Sequence, residues 1–146
     1  MSGRATGSVW PSARPPAATP VLSWDLDDIA QLPSVRAEVR RFATAREASG
    51  PVAADQRDQL VLAFDEMASN ALRHGGGRVQ AAVRLTGEAY LIEVSDQATA
   101  APPAPAVGRD PSEGGLGLYL IAELATAHGW YVHDGAKHVW ALLPRA

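Results

Sequence analysis

Three groups of residues have types and spacing that could do chemistry. In Glu66-Met-Ala-Ser-Asn70-Ala-Leu-Arg-His74, the residues Glu66, Asn70 and His74 stand four apart, which on a helix makes them one polar stripe. A carboxylate beside a neutral amide is the oxygen set that a hard cation keeping several of its waters uses, although the spacing alone more often marks a solvated helix face. Asp96 ends the run Val94-Ser-Asp96, where a carboxylate at a sheet edge can accept from an exocyclic amine or simply cap a turn. Gly114-Gly115-Leu116-Gly117-Leu118 directly precedes an apolar helix pattern. Small residues at a helix start let phosphate oxygens approach unpaired N–H groups at the positive end of the dipole. Neither the P-loop nor the dinucleotide fingerprint is present, and a glycine cluster by itself also suits a tight turn.

The elements that must position these groups follow from periodicity. Pro20–Leu26 alternates as a first strand, and Ser34–Ala48 carries Val35, Val39 and Phe42 on one helical face before Gly50-Pro51 stops it. Leu60, Phe64, Met67 and Ala71 predict a second helix over about 53–74, ended by Gly75-Gly76-Gly77. Segments 78–85 and 89–95 alternate around Thr86-Gly87-Glu88 and predict a hairpin. Four prolines mark 96–113 as a long loop, a lid or an insert. A third helix is predicted over 114–128, and a second hairpin over 130–133 and 139–143. The first 19 residues, rich in Gly, Ser, Pro and Ala, read as a flexible arm with Trp10 as an exposed tail residue or a docking anchor; residues 20–146 read as one domain. The order suggests an α/β sandwich with a mixed, mostly antiparallel sheet and helices on one face.

Composition narrows the classes. Of 146 residues 47% are hydrophobic and 20% charged, enough for a core. The net charge of −3 argues against a nucleic-acid binder with a broad basic surface. With no cysteine, disulfides, thiolate metal sites and cysteine nucleophiles are excluded. The apolar run Leu60–Phe64 is far short of the roughly 18 residues of a membrane span, and no signal peptide is evident, so a cytoplasmic protein is expected. Scattered His74, His128, His133 and His138 suggest no metal cage, and Ser69 has no triad partners.

In this order the three groups together resemble the histidine-kinase-like (GHKL) ATPase superfamily. Glu66…Asn70-Ala71…His74 is similar to its N box, Asp96 to its first glycine box and Gly115-Leu116-Gly117-Leu118 to its second. Gly115–Ile121 and the closing Gly135-Ala-Lys-His-Val-Trp140 are most similar to the short single-domain anti-sigma factor kinases of actinobacteria. The resemblance implies the Bergerat ATP-binding fold, a two-layer sandwich with ATP between the helices and a lid. It implies that Glu66 is the general base, that Asn70 binds Mg²⁺, and that Asp96 accepts from the adenine amine. Nucleotide contacts would also come from His74, Ala98, Gly115, Leu116, Gly117 and Leu118. The implied function is ATP-dependent phosphorylation of a serine or threonine on an anti-sigma-factor antagonist, in competition with a sigma factor. Relatives also suggest a homodimer through the sheet, with neither nucleic acid nor membrane as partner.

This sequence departs from the family pattern. Asp-x-Gly becomes Asp96-Gln97-Ala98, and a methyl group at Ala98 disfavours positive φ. Arginines common at the positions of Gly114 and Leu116 are missing, removing charge-assisted phosphate contacts. A threonine that binds a water beside adenine falls at or near His138. These departures favour an alternative, a non-catalytic module that holds a regulatory partner. A sensor histidine kinase's catalytic half would also fit Gly115–Leu118, but no helix pair with a phospho-accepting histidine is evident.

Overall fold

The computed structural model describes residues 10–47, 50–100, 102–103 and 116–145. Strand β1 (Thr19–Leu26) leads through a 3₁₀ turn (Ile29–Gln31) into α1 (Leu32–Arg46) and then α2 (Pro51–Asn70), which runs on as a π turn over Ala71–Gly75. There follow β2 (Val79–Leu85), β3 (Ala89–Asp96), α3 (Leu116–Leu124), β4 (Ala127–His133) and β5 (Ala136–Pro144). The five strands lie in the order β1-β2-β3-β5-β4, and every ladder is antiparallel. The expected mixed sheet is therefore antiparallel throughout its strands, the one parallel pairing being an isolated bridge between Ser12 and Trp130.

Alternation decides which side chains face the helices. Val79, Ala81 and Val83 of β2, Tyr90, Ile92 and Val94 of β3, and Val139, Ala141 and Leu143 of β5 join one core with Val35 and Val39 of α1, Leu60, Phe64 and Met67 of α2, and Leu118 and Ile121 of α3. The α2 stripe is the one its periodicity predicts. Helix α1 begins at Leu32, earlier than expected, with Pro33 in its first turn; the 3₁₀ turn before it is closed by a capping box in which the Asp28 side chain accepts from Ala30 N–H and Gln31 accepts from the backbone at Asp28.

Two expectations are corrected. Helix α3 ends at Leu124, not 128, with Ala125 N–H closing on Ile121 C=O; Ala127 and His128 belong to β4, and Thr126 N–H donates to Leu142 C=O. The run from Ala127 beside β5 gains a complete ladder, which outweighs about one more turn of a short helix. Trp10, read as an exposed tail residue, is 3% exposed and joins the core. Its neighbours form a strap along β4: Trp130 N–H donates to Pro11 C=O, Ala13 N–H to Trp130 C=O, and Trp140 Nε1–H to Ala13 C=O. The strap pairs with the backbone of an edge strand that would otherwise invite another chain. Residues 1–9 of the expected arm lie outside the described residues.

Candidate functional site

The ends of α2, β3, α3 and β5 converge on a crevice lined by Met67, Asn70, Ala71, Val94, Asp96, Pro103, Leu118, Lys137 and Val139, with a volume of about 10 Å³, room for little more than a water. Asn70 is half-buried on the last turn of α2. One turn earlier, Glu66 meets the start of α3, where a Cβ on Gly117 would overlap Glu66 Oε2. Only glycine permits that approach, and it sets a carboxylate at the positive end of a helix. Burial pushes the Glu66 carboxyl above its usual range, the adjacent Asp65 charge adds to this, and Arg73 opposes both.

Asp96, 4% exposed, is the last residue of β3 and faces the helices. Its Oδ1 accepts from Ala98 N–H at 2.9 Å, and its Oδ2 lies 3.7 Å from Lys137 Nζ, itself on a residue 7% exposed. The two residues are register partners across β3 and β5. The π turn brings Gly75 against the same carboxylate, so closely that a Cβ there would overlap Asp96 Oδ2.

Asn70, Asp96 and Leu118 thus line one crevice, and Glu66 meets Gly117 beside it at the start of α3. His74 does not join them. The π turn breaks the four-residue stripe after Asn70, and His74 is exposed. Ala98 reaches the site through its N–H, which donates to Asp96 Oδ1. Gly115 lies outside the described residues, as do the side chain of Leu116 and most of the proline-rich loop. The family threonine position was expected at or near His138. Here the residue beside Asp96 is Lys137, and His138 faces the other side of the sheet. Lys137 was missed because one residue of register exchanges the two faces of a strand. The register Asp96↔Lys137 was the signal.

That other side carries a second buried carboxylate. Glu93, 5% exposed, accepts from Arg84 Nη1 at 2.8 Å and from Tyr131 Oη at 2.5 Å, and lies 2.8 Å from His138 Nδ1. Burial would raise its pKa, but the hydrogen bonds from His138 and Tyr131 and the Arg84 charge outweigh it, leaving it below the ordinary value. The cluster walls a cavity of about 290 Å³ with Ser23, Asp25, Gln80 and Ser95.

The donors fit a nucleotide-borne divalent cation better than a protein-held one. Among the described residues, no three His, Cys, Asp or Glu side chains gather to hold a metal, whereas Mg²⁺ carried on phosphates needs only one or two protein oxygens, which Asn70 and Glu66 can offer. No helix among the described residues is long and apolar enough to cross a membrane.

The chain is 32% identical to the alginate biosynthesis sensor protein KinB of Pseudomonas aeruginosa over 107 residues, which are 64% of this chain but only 18% of that protein. Its fold is similar to a chain in the crystal structure of the SiaB–SiaC complex from Pseudomonas aeruginosa, with a TM-score of 0.64 at 14% identity, covering 86% of this chain and 90% of that one. Residues 29–142, which hold all three helices and the sheet apart from β1 and the end of β5, match the histidine kinase-like ATPase domain, and the chain belongs to that family.

Proposed function

We propose that the chain binds ATP in this crevice and transfers its terminal phosphoryl group to a serine or threonine of an anti-sigma-factor antagonist, restraining a sigma factor by partner switching. The observation that carries this reading is the meeting of Glu66 with Gly117 at the start of α3, one helical turn from Asn70. A base at that place needs hydrogen-bond reach and a suitable pKa, and burial moves Glu66 upward in the useful direction. Glu66 takes the hydroxyl proton as the substrate oxygen bonds to the terminal phosphorus and the bond to the leaving ADP breaks. Bound Mg²⁺, held by Asn70, supplies charge neutralisation for the phosphates. Asp96 accepts from the adenine amine, and the absence of a side chain at Gly117 leaves its N–H open to phosphate oxygens. The family membership and the resemblance to a chain found in a two-protein complex support a regulatory protein with a protein partner.

A non-catalytic partner-binding module is the second reading. It is favoured by the narrowness of the crevice and by Ala98 standing where the family has glycine. Titration with ATP or ADP, with and without Mg²⁺, followed by phosphoryl transfer to a candidate antagonist, separates the two. Loss of transfer in Glu66→Ala with binding retained supports the kinase; absence of nucleotide binding in folded protein supports the module.

A further inference from the structure

Strands β1 and β4 are the two edges of the sheet, and a bare edge strand pairs with another chain unless something prevents it. Strand β1 carries its own protection. Pro20 has no N–H to give, Asp25 puts a charge on the edge, and the register shifts between Pro20 and Leu22. Strand β4, Ala-His-Gly-Trp-Tyr-Val-His, holds no Lys, Arg, Asp, Glu or Pro. Its cover is the strap, which pairs through an isolated bridge at Ser12: Trp130 N–H donates to Pro11 C=O and Ala13 N–H to Trp130 C=O. That cover is imperfect. Docking leaves Trp10 Nε1 and His128 Nδ1 buried without a hydrogen-bond partner among the described residues, a cost that is relieved when the strap lifts and water reaches them.

The edge fits a copy of itself. Trp130 turns both its N–H and its C=O outward, and two such residues opposed in an antiparallel ladder exchange both hydrogen bonds. A two-fold axis beside Trp130 therefore pairs it with its own counterpart, and the added ladder is antiparallel like every other in the sheet. The same register sets Val132 of each copy opposite His128 of the other. Val132 is 45% exposed in the single chain. In the pair it takes the place beside His128 where the Trp10 ring now lies, 4.6 Å away between centroids.

We propose that the strap is a displaceable cover, and that a second copy of this chain, pairing β4 with β4, is the partner that displaces it. Strap and partner use the same N–H and C=O of Trp130, so the two states exclude each other. Each copy releases its strap before it pairs, and the apparent affinity of the dimer is reduced by the fraction of chains released. The proposal is independent of nucleotide binding.

Sedimentation velocity of the full chain at rising concentration, without nucleotide, tests this beside Trp10→Ser, Ala13→Pro, and Ala13→Pro combined with Val132→Lys. Both single variants loosen the strap and should dimerise about tenfold or more tightly than the unaltered chain. Ala13→Pro removes the N–H that Trp130 C=O accepts and keeps Trp10 for the core, so it decides the matter even where Trp10→Ser does not fold. Val132→Lys adds a charge to the paired edge and should return the strap variant to monomer. Hydrogen exchange in the Trp10→Ser dimer should find the Ala13 amide open and the Trp130 amide still protected, its bond passed from Pro11 to the second copy. Folded strap variants that stay monomeric up to their solubility limit overturn the proposal. So does a dimer that survives Val132→Lys or leaves the Trp130 amide open, because it is built on another surface.

Discussion

Glu93 and Asp96 leave the same strand three residues apart, reach opposite faces of the sheet, and are almost equally buried. Their surroundings differ sharply. Glu93 has both oxygens engaged: Arg84 takes one, and Tyr131 and His138 share the other. Among the described residues, Asp96 accepts one hydrogen bond, from Ala98 N–H, and has a cation at longer range. A carboxylate offers about four acceptor positions. The outer-face group has spent most of them within the fold, whereas the helix-side group keeps capacity for something that enters. Burial alone does not separate the two carboxylates; the state of their acceptors among the described residues does.

The largest effect expected from this contrast is on the helix side. Glu66→Gln should slow phosphoryl transfer by about 10²- to 10⁴-fold, the range for removing a general base, with nucleotide affinity little changed. The same substitution should not weaken the fold. Because burial raises the Glu66 pKa in the native state, the ionised form is disfavoured there, and a neutral amide removes that cost at neutral pH. Stopped transfer together with a lowered unfolding midpoint would make Glu66 a structural residue and erase the distinction between the two faces.

Glu93→Gln should behave in the opposite way. It leaves Arg84 and His138 without their carboxylate and should lower the unfolding free energy by about 2 kcal/mol, read by denaturant titration, with ADP affinity unchanged. Its pH dependence has a definite sign. The folded-state pKa lies below the ordinary 4.5, so the stabilisation is complete above that value and is lost as the pH falls through the lower, folded one. The unaltered protein should therefore lose stability on acidification below about 4.5 more steeply than Glu93→Gln does. Asp96→Asn completes the comparison with a smaller change: it keeps an acceptor for Ala98 N–H but should weaken ADP about tenfold.

The helix side was the more legible in sequence. Leu60, Phe64, Met67 and Ala71 fixed the face of α2 through their period, and Glu66 and Asn70 followed from it. His74 did not, because the π turn over Ala71–Gly75 changes the angular step just where the stripe is extrapolated. The outer face was hidden for another reason. Every residue of β3 is buried, so burial on this strand does not separate an inner from an outer face, and only its pairing with β5 shows that Lys137 joins Asp96 while His138 joins Glu93. The strap was harder still. Trp10 stands alone among Pro, Ser, Gly and Ala, where no period exists to be read; its site is made by β4, more than a hundred residues later.

That strap connects the two faces and gives the smallest effect. Trp10 packs on His128 with ring centroids 4.6 Å apart, while Ala13 and Arg14 reach the outer face, where Arg14 lies over the Tyr131 ring. Burial lowers the His128 pKa below 6.5, and neither His128 Nδ1 nor Trp10 Nε1 has a hydrogen-bond partner among the described residues. A base whose folded-state pKa is depressed costs nothing while it is neutral in both states. As the pH falls below about 6.5 it protonates first in the open form, so docking of Trp10 weakens progressively. Hydrogen exchange at the Ala13 amide, which donates to Trp130 C=O, should lose protection between about pH 7.5 and about pH 5.5 after correction for the intrinsic rate, with a change below about 1 kcal/mol. In His128→Leu that pH dependence should vanish. Equal protection at both pH values in the unaltered chain would mean that the backbone pairing with β4, and not the Trp10–His128 contact, holds the strap across the sheet edge.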